Sequence, residues 1–199
     1  LTDERRDDAG FAARARGALE AAVAAGVTLF DTAPGYGFGR AERLFGEVLP
    51  AARDRIVLAT KVKVTPGEGP AEWDASVAGS LERLRTDRVD ILQLHGASWT
   101  DELAAWVIDA GPLDWLEAAR RDGRTRHIGL TAEVPSGGLE RLLRRGRFQV
   151  LHLPGRLRPP ARGLRADPAC EVARHGGAHD ALGDLGRVTK IAAAGVPGA

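Results

Sequence analysis

The stretch VTLFDTAPGYGFGRAERLFGEVL, residues 27–49, passes through three patterns in succession. Val27 to Phe30 is short, β-branched and aromatic, which is the composition of a buried strand. Asp31 to Gly39 gathers glycine and proline and reads as a loop. Leu44, Phe45 and Val48 then recur at helical spacing. A buried strand that runs into a glycine-rich loop and an amphipathic helix is the opening of a βαβ unit, and the chain repeats it. Upstream, Phe11, Ala15, Leu19, Ala22 and Val23 form a helical stripe that Gly26 ends. Downstream, strands are predicted at Ile56 to Val62, Val89 to Leu94, His127 to Leu130 and Phe148 to Leu153. Between them lie the helical stripes Trp73, Val77, Leu81, Leu84, then Leu113, Leu116, Ala119, then Leu139, Leu142, Leu143.

Helix and strand thus alternate five times, at roughly 20 to 40 residues per unit, which predicts right-handed crossovers around a parallel sheet. An open doubly wound sheet and a (β/α)8 barrel both satisfy that pattern. The open sheet usually carries a G-x-G-x-x-G phosphate fingerprint after its first strand. Gly35, Gly37 and Gly39 alternate here without forming one, so the barrel is favoured. No strand precedes the first helix. After Pro154 the pattern fails: all ten aromatic residues lie before it, and prolines, glycines and arginines break any period. Val188 to Gly195 reads as one short strand and Cys170 to His175 as part of a helix. The expected organisation is an α/β partial (β/α)8 TIM barrel of about five βα units over residues 1–153, its first strand and late units missing or degraded. An irregular segment, 154–199, follows. An unclosed barrel leaves open sheet edges that invite self-association.

Bulk composition removes several function classes. A formal net charge of +1 provides no field for nucleic acid or an anionic membrane. The single cysteine, Cys170, excludes an intrachain disulfide and a thiolate metal cluster. No run of about 18 apolar residues reads as a membrane span, and Leu1 to Gly10 mixes acids and bases unlike a signal peptide. The expectation is a soluble cytoplasmic protein with a small-molecule partner.

Four titratable side chains fall at or just beyond the C-terminal ends of successive strands. Asp31 ends the first, Tyr36 follows in the same loop, Lys61 ends the second and His95 the third. In a (β/α)8 barrel those ends converge on one rim, where catalytic groups gather. A charge at the inner end of an apolar strand is costly unless paired, and Asp31 and Lys61 are natural partners. Taken singly, each residue has a plainer role: an Asx-turn for Asp31, a rim aromatic for Tyr36, a snorkelling or Schiff-base lysine for Lys61, a structural histidine for His95. Trp99 suits either packing or a pocket wall, and His127 a structural place within its strand. Glu42 suits the first turn of its helix, through the helix dipole. His175 and His179 are separated by Gly176 and Gly177, which argues against a helical metal pair, and no metal site is expected.

The segment Phe30-Asp31-Thr32-Ala33-Pro34-Gly35-Tyr36-Gly37, followed by Ala41-Glu42 and Gly46, resembles the second-strand motif of the aldo-keto reductases. Ala59-Thr60-Lys61-Val62 is similar to the family's third-strand motif and Asp90-Ile91-Leu92-Gln93-Leu94-His95 to its fourth. The matches at Ile128-Gly129-Leu130 and Phe148-Gln149-Val150-Leu151 are weaker. The resemblance implies a catalytic tetrad of Asp31, Tyr36, Lys61 and His95, and NADP(H) as cofactor. A hydride passes from the nicotinamide to the carbonyl carbon of an aldehyde, ketone or aldose, and Tyr36 protonates the oxygen. A phenol ordinarily ionises at a pH of about 10; a neighbouring ammonium favours the phenolate, which suits the family's Lys–Tyr pairing. His95 would orient or polarise the carbonyl oxygen.

The family's cofactor contacts imply cofactor-binding roles for Asp31, Thr131 and His152. Thr131-Ala132 stands where a Ser-Asn pair is usual, and His152 where a glutamine is usual. The aromatic that commonly stacks on the nicotinamide is replaced near Gly155 and Arg156, and no clamp for a 2′-phosphate is identifiable. Besides an oxidoreductase, the resemblance admits a non-catalytic member that senses nucleotide or binds a partner, and an inactive fragment.

Overall fold

The computed structural model describes residues 9–145, 147–153 and, as backbone, 189–191. The rest of the segment expected to be irregular, with His175 and His179, lies outside the described residues. Helix and strand alternate from the start: α1 (Ala9–Ala24), β1 (Leu29–Asp31), α2 (Arg40–Val48), a 3-10 helix at Pro50–Arg55, β2 (Val57–Val62), α3 (Pro70–Leu84) and β3 (Val89–Leu94). Two helices, α4 (Asp101–Asp109) and α5 (Pro112–Arg121), precede β4 (Thr125–Thr131); α6 (Gly137–Arg144) leads to β5 (Val150–His152), and β6 spans Thr189–Ile191.

All strands are parallel, and their order in the sheet is their order in the chain. A doubly wound sheet would reverse order at a switch point; this one does not, and the fold is a curled part-barrel of the (β/α)8 kind. Five strands fall before residue 154, as expected. The sixth, with Val150 opposite Thr189 and His152 opposite Ile191, lies within the short strand read at Val188 to Gly195. Two elements were not anticipated: the 3-10 helix and α4. The first strand also begins at Leu29 rather than Val27, which is exposed.

The period-2 alternation of the strands separates the two faces of the sheet. Phe30, Leu58, Leu92, Leu94, Ile128, Leu130 and Leu151 face outward and join the buried stripes of the helices in the main core. Full burial of such a side chain contributes about 1.5–3 kcal/mol, so this outer layer carries most of the fold's stability. The inner face holds a smaller apolar cluster of Ala59, Ile91 and Val150, with Leu29 and Val57 packed against it. Above that cluster, toward the C-terminal ends, the inward positions turn polar: Asp31, Lys61, Gln93, Thr131 and His152.

Local chemistry starts the helices where they start. Pro70 opens α3, and the Glu72 carboxylate accepts from the Gly69 N–H at 3.0 Å. The Thr100 hydroxyl caps α4 by accepting from the Leu103 N–H at 3.2 Å, and Ser136 caps α6 through the Leu139 N–H at the same distance. Gly46 lets α2 approach the end of α3, because a Cβ there would lie 2.2 Å from the Arg83 carbonyl oxygen.

Glu42 corrects the helix-dipole reading. It does sit in the first turn of α2, but it is 0 % exposed and accepts from Thr60 Oγ1 at 2.6 Å and Arg83 Nε at 2.7 Å. It is a buried tie that fastens α2 to β2 and α3, and its partners matter more than the dipole. Since Thr60 precedes Lys61, the same tie steadies the strand end that delivers the lysine.

Candidate active site

Asp31 and Lys61 occupy the inner face at the ends of β1 and β2, and His95 follows β3 directly. The His95 N–H donates to the Val62 carbonyl at 2.8 Å, which prolongs the ladder by one residue. Tyr36 arrives by a tight loop. Gly37, Phe38 and Gly39 all take left-handed conformations, with φ of 59°, 55° and 80°. Two glycines adopt this freely, but Phe38 does so at a cost of roughly 1–2 kcal/mol. The turn is held by Tyr36 N–H to the Ala33 carbonyl at 3.0 Å and by Arg43 Nη2 to the Phe38 carbonyl at 3.1 Å.

The folded loop places the Tyr36 ring over Lys61, whose Nζ lies 4.8 Å from the ring centroid. The His95 ring meets Tyr36 edge to face, with centroids 6.1 Å apart. Lys61 is 2 % exposed, so its charge must be compensated where it stands. It donates to Asp31 Oδ2 and, at 2.7 Å, to the Thr32 carbonyl. Asp31 Oδ1 accepts from Gln93 Nε2 at 2.7 Å, and His152 Nδ1 stands 3.6 Å from Oδ2. All four residues picked out by motif therefore meet at one rim, as does His152.

Thr131 is placed beside His152 by the pairing of β4 with β5. Its hydroxyl donates to the Gly96 carbonyl and accepts from the Gly96 N–H, both at 3.0 Å, so one lone pair remains. Trp99 is buried and donates from Nε1 to the Thr131 carbonyl at 2.8 Å, which is the packing role. His127 lies lower on the inner face, opposite Ile91. Among the described residues no group of three or more potential ligands could hold a metal, and no helix is long and apolar enough to cross a membrane. Gln93 and Glu42 are the polar residues whose part in this region the motifs did not reveal. Gln93 sits two positions before His95 on the same strand face, and that period was its available signal.

Burial holds the His95 pKa below the ordinary 6.5, and the Lys61 ammonium pushes the same way, while Asp31 and Glu133 oppose them. Burial likewise lowers His152, with Asp31 opposing. Both imidazoles are thus neutral at neutral pH. The unfolded chain binds protons at these sites more readily than the folded one, so stability rises with pH through the window below 6.5. Thermal unfolding at pH 7.5 and pH 5 should therefore show a drop in Tm on acidification. A His95→Asn, His152→Gln double variant should lose part of that drop. An identical drop in the double variant would place the acid sensitivity elsewhere.

A buried lysine–carboxylate pair lies under a phenol, with a neutral imidazole beside it, on the C-terminal rim of a barrel segment. The Aldo/keto reductase family model matches residues 8–154, and the chain belongs to that family. It is 34 % identical over 183 residues to a D-threo-aldose 1-dehydrogenase of Pseudomonas sp., across 76 % of this chain and 54 % of the relative. It is 40 % identical over 129 residues to a 6-dehydroglucose reductase of Novosphingobium aromaticivorans, across 57 % of this chain and 40 % of the relative. Among solved structures it resembles an aldo-keto reductase from Klebsiella pneumoniae in complex with NADPH. The TM-score is 0.59 at 26 % identity, over 75 % of this chain and 50 % of the other. The chain therefore spans about half the length of these proteins.

Proposed function

We propose that this chain carries the proton-transfer half of an NADP(H)-dependent oxidoreductase site that interconverts an aldehyde or ketone, including an aldose, and its alcohol. The observation that carries this reading is the Tyr36 ring stacked over the buried, Asp31-paired Lys61, with His95 at its edge. When bound, NADPH supplies the two electrons and one hydrogen that, with one proton, convert a carbonyl to an alcohol and leave NADP⁺. Tyr36 Oη gives that proton to the carbonyl oxygen and regains it from solvent, to which the residue is 44 % exposed. The Lys61 ammonium lies under the Tyr36 ring, and Asp31 fixes the ammonium. His95 orients the oxygen as a neutral donor. In the oxidising direction Tyr36 accepts the proton instead.

The nicotinamide end of the cofactor fits the residues present. Thr131 keeps one lone pair, and His152 Nδ1 is buried without a hydrogen-bond partner. A carboxamide offers both donors and an acceptor to such groups. Thr131, His152 and Asp31 would hold it. Residues 1–153 form the barrel domain on this reading, with its partner a small carbonyl or sugar molecule in the cytoplasm. Among the described residues β1 pairs only with β2, and that free edge suits self-association.

Titration with NADPH, followed by nicotinamide fluorescence, tests the reading together with NADPH consumption on a panel of aldehydes, ketones and aldoses. Saturable binding and turnover on part of the panel are expected. No binding at high micromolar nucleotide would sink it, and tight binding without turnover would mark a nucleotide sensor instead.

A further inference from the structure

We propose that Gln93 is a positioning residue for the Asp31–Lys61 pair: it fixes the carboxylate that in turn fixes the ammonium beneath Tyr36. The proposal rests on reading that pair as part of the catalytic machinery.

Gln93 is 0 % exposed and points inward from β3, where the register sets it between Lys61 on β2 and Gly129 on β4. Its Nε2 donates to Asp31 Oδ1 at 2.7 Å, while its Oε1 is buried with no hydrogen-bond partner. A buried amide with an orphaned oxygen is costly, and a leucine would fill much the same volume without that cost. Volume alone therefore does not account for an amide here. The donor does. The amide must turn its N–H toward Asp31, since its oxygen would oppose the carboxylate.

Asp31 gives one oxygen to Lys61. Without Gln93 the other would be a partly buried anionic oxygen lacking that donor, free to rotate the carboxylate away from the ammonium. A neutral donor suits this place in a way that no charged residue does. A cation would compete with Lys61 for Asp31, and an anion would compete with Asp31 for Lys61. The fold also makes room for this side chain: a Cβ on Gly129 would lie 2.9 Å from Gln93 Cγ and displace it. His95 and His152 lie beside the pair, and burial favours the neutral form of both.

The chain has only three lysines, Lys61, Lys63 and Lys190, so 15N-labelled lysine gives an ammonium NMR spectrum of few signals that needs no cofactor. In the parent, the Lys61 ammonium should exchange its protons slowly, and Lys63 serves as the internal control. In Gln93→Leu, Lys61 exchange should quicken by about ten- to a hundredfold, the size of effect on affinity or activity that losing a ligand's hydrogen-bond partner has at metal sites. The rate constant kcat for carbonyl reduction, measured at saturating NADPH, should fall by a similar factor. Gln93→Asn, which keeps the amide but draws it back by one methylene, should show the same loss and stands in if the leucine variant fails to fold. An unchanged Lys61 signal in both variants overturns the proposal. A quickened Lys61 signal with undiminished turnover upholds the positioning role and overturns instead the catalytic reading of Lys61.

Discussion

Tyr36→Phe should lower kcat for NADPH-dependent carbonyl reduction by about 10²- to 10⁴-fold, the usual contribution of a positioned general acid, and leave nucleotide binding within about twofold. The substitution removes one oxygen and little else. The ring that meets His95 edge to face and lies over Lys61 is retained. Tyr36 is 44 % exposed, so stability should change by no more than about 0.5 kcal/mol. Tyr36 is also the only tyrosine in the chain, so no other phenol can replace it. Steady-state rates at saturating NADPH, with Tm measured alongside, decide the matter. A variant that keeps kcat within twofold of the parent would move the proton donor elsewhere, His95 being the next group in line. The pH profile would then follow the depressed imidazole, and activity would be confined to more acidic conditions.

Much of this geometry was legible because strand ends and periods are local signals. Asp31, Lys61 and His95 could be placed on one rim from three apolar runs that each finish in a polar residue, and Tyr36 from the glycine-rich loop after the first. The sheet order followed from alternation and from the absence of a phosphate fingerprint. The failures have a common physical form. Glu42 and Arg83 are 41 positions apart, and nothing local to α2 announces that its first-turn acid is buried against α3. Gln93 reaches Asp31 across 62 positions of sequence. Gln93 and Asp90 are both polar in the run Val89 to Leu94, and the period that sets Gln93 beside Ile91 on the inner face does not name its partner. Helix α4 is a different case, since its signals were present: Thr100 as a cap, with Asp101 and Glu102 in the first turn. A βα unit ordinarily places one helix between strands; here α4 and α5 share that interval, parted by Gly111 and opened again at Pro112.

Trp99→Ala should be the most damaging of the single substitutions considered, at about 3–5 kcal/mol. For a chain of this size that corresponds to a fall in Tm of roughly 6–20 °C. Trp99 is 1 % exposed, and three elements converge on it. Its indole N–H donates to the Thr131 carbonyl at the end of β4. Its own carbonyl accepts the Ser136 hydroxyl that caps α6 at 2.6 Å, and Gly138 packs so closely that a Cβ there would lie 2.4 Å from the same oxygen. Its ring fills the space beside Gly96, where a Cβ would come within 2.4 Å of Cζ2. Gly96 links His95 to the Thr131 hydroxyl, so the cavity left by the indole would loosen His95 and Thr131 together. Trp99→Phe separates the two contributions. It restores most of the volume but leaves the Thr131 carbonyl without its donor, at a cost of about 1–3 kcal/mol. The order of Tm should be parent, then Phe, then Ala, with NADPH affinity falling in the same order. A tryptophan that merely lined a substrate pocket would behave otherwise: its alanine variant would melt with the parent and accept bulkier carbonyls. An alanine variant that does so would show that Trp99 faces substrate and that the bracing of Thr131 rests on some other residue.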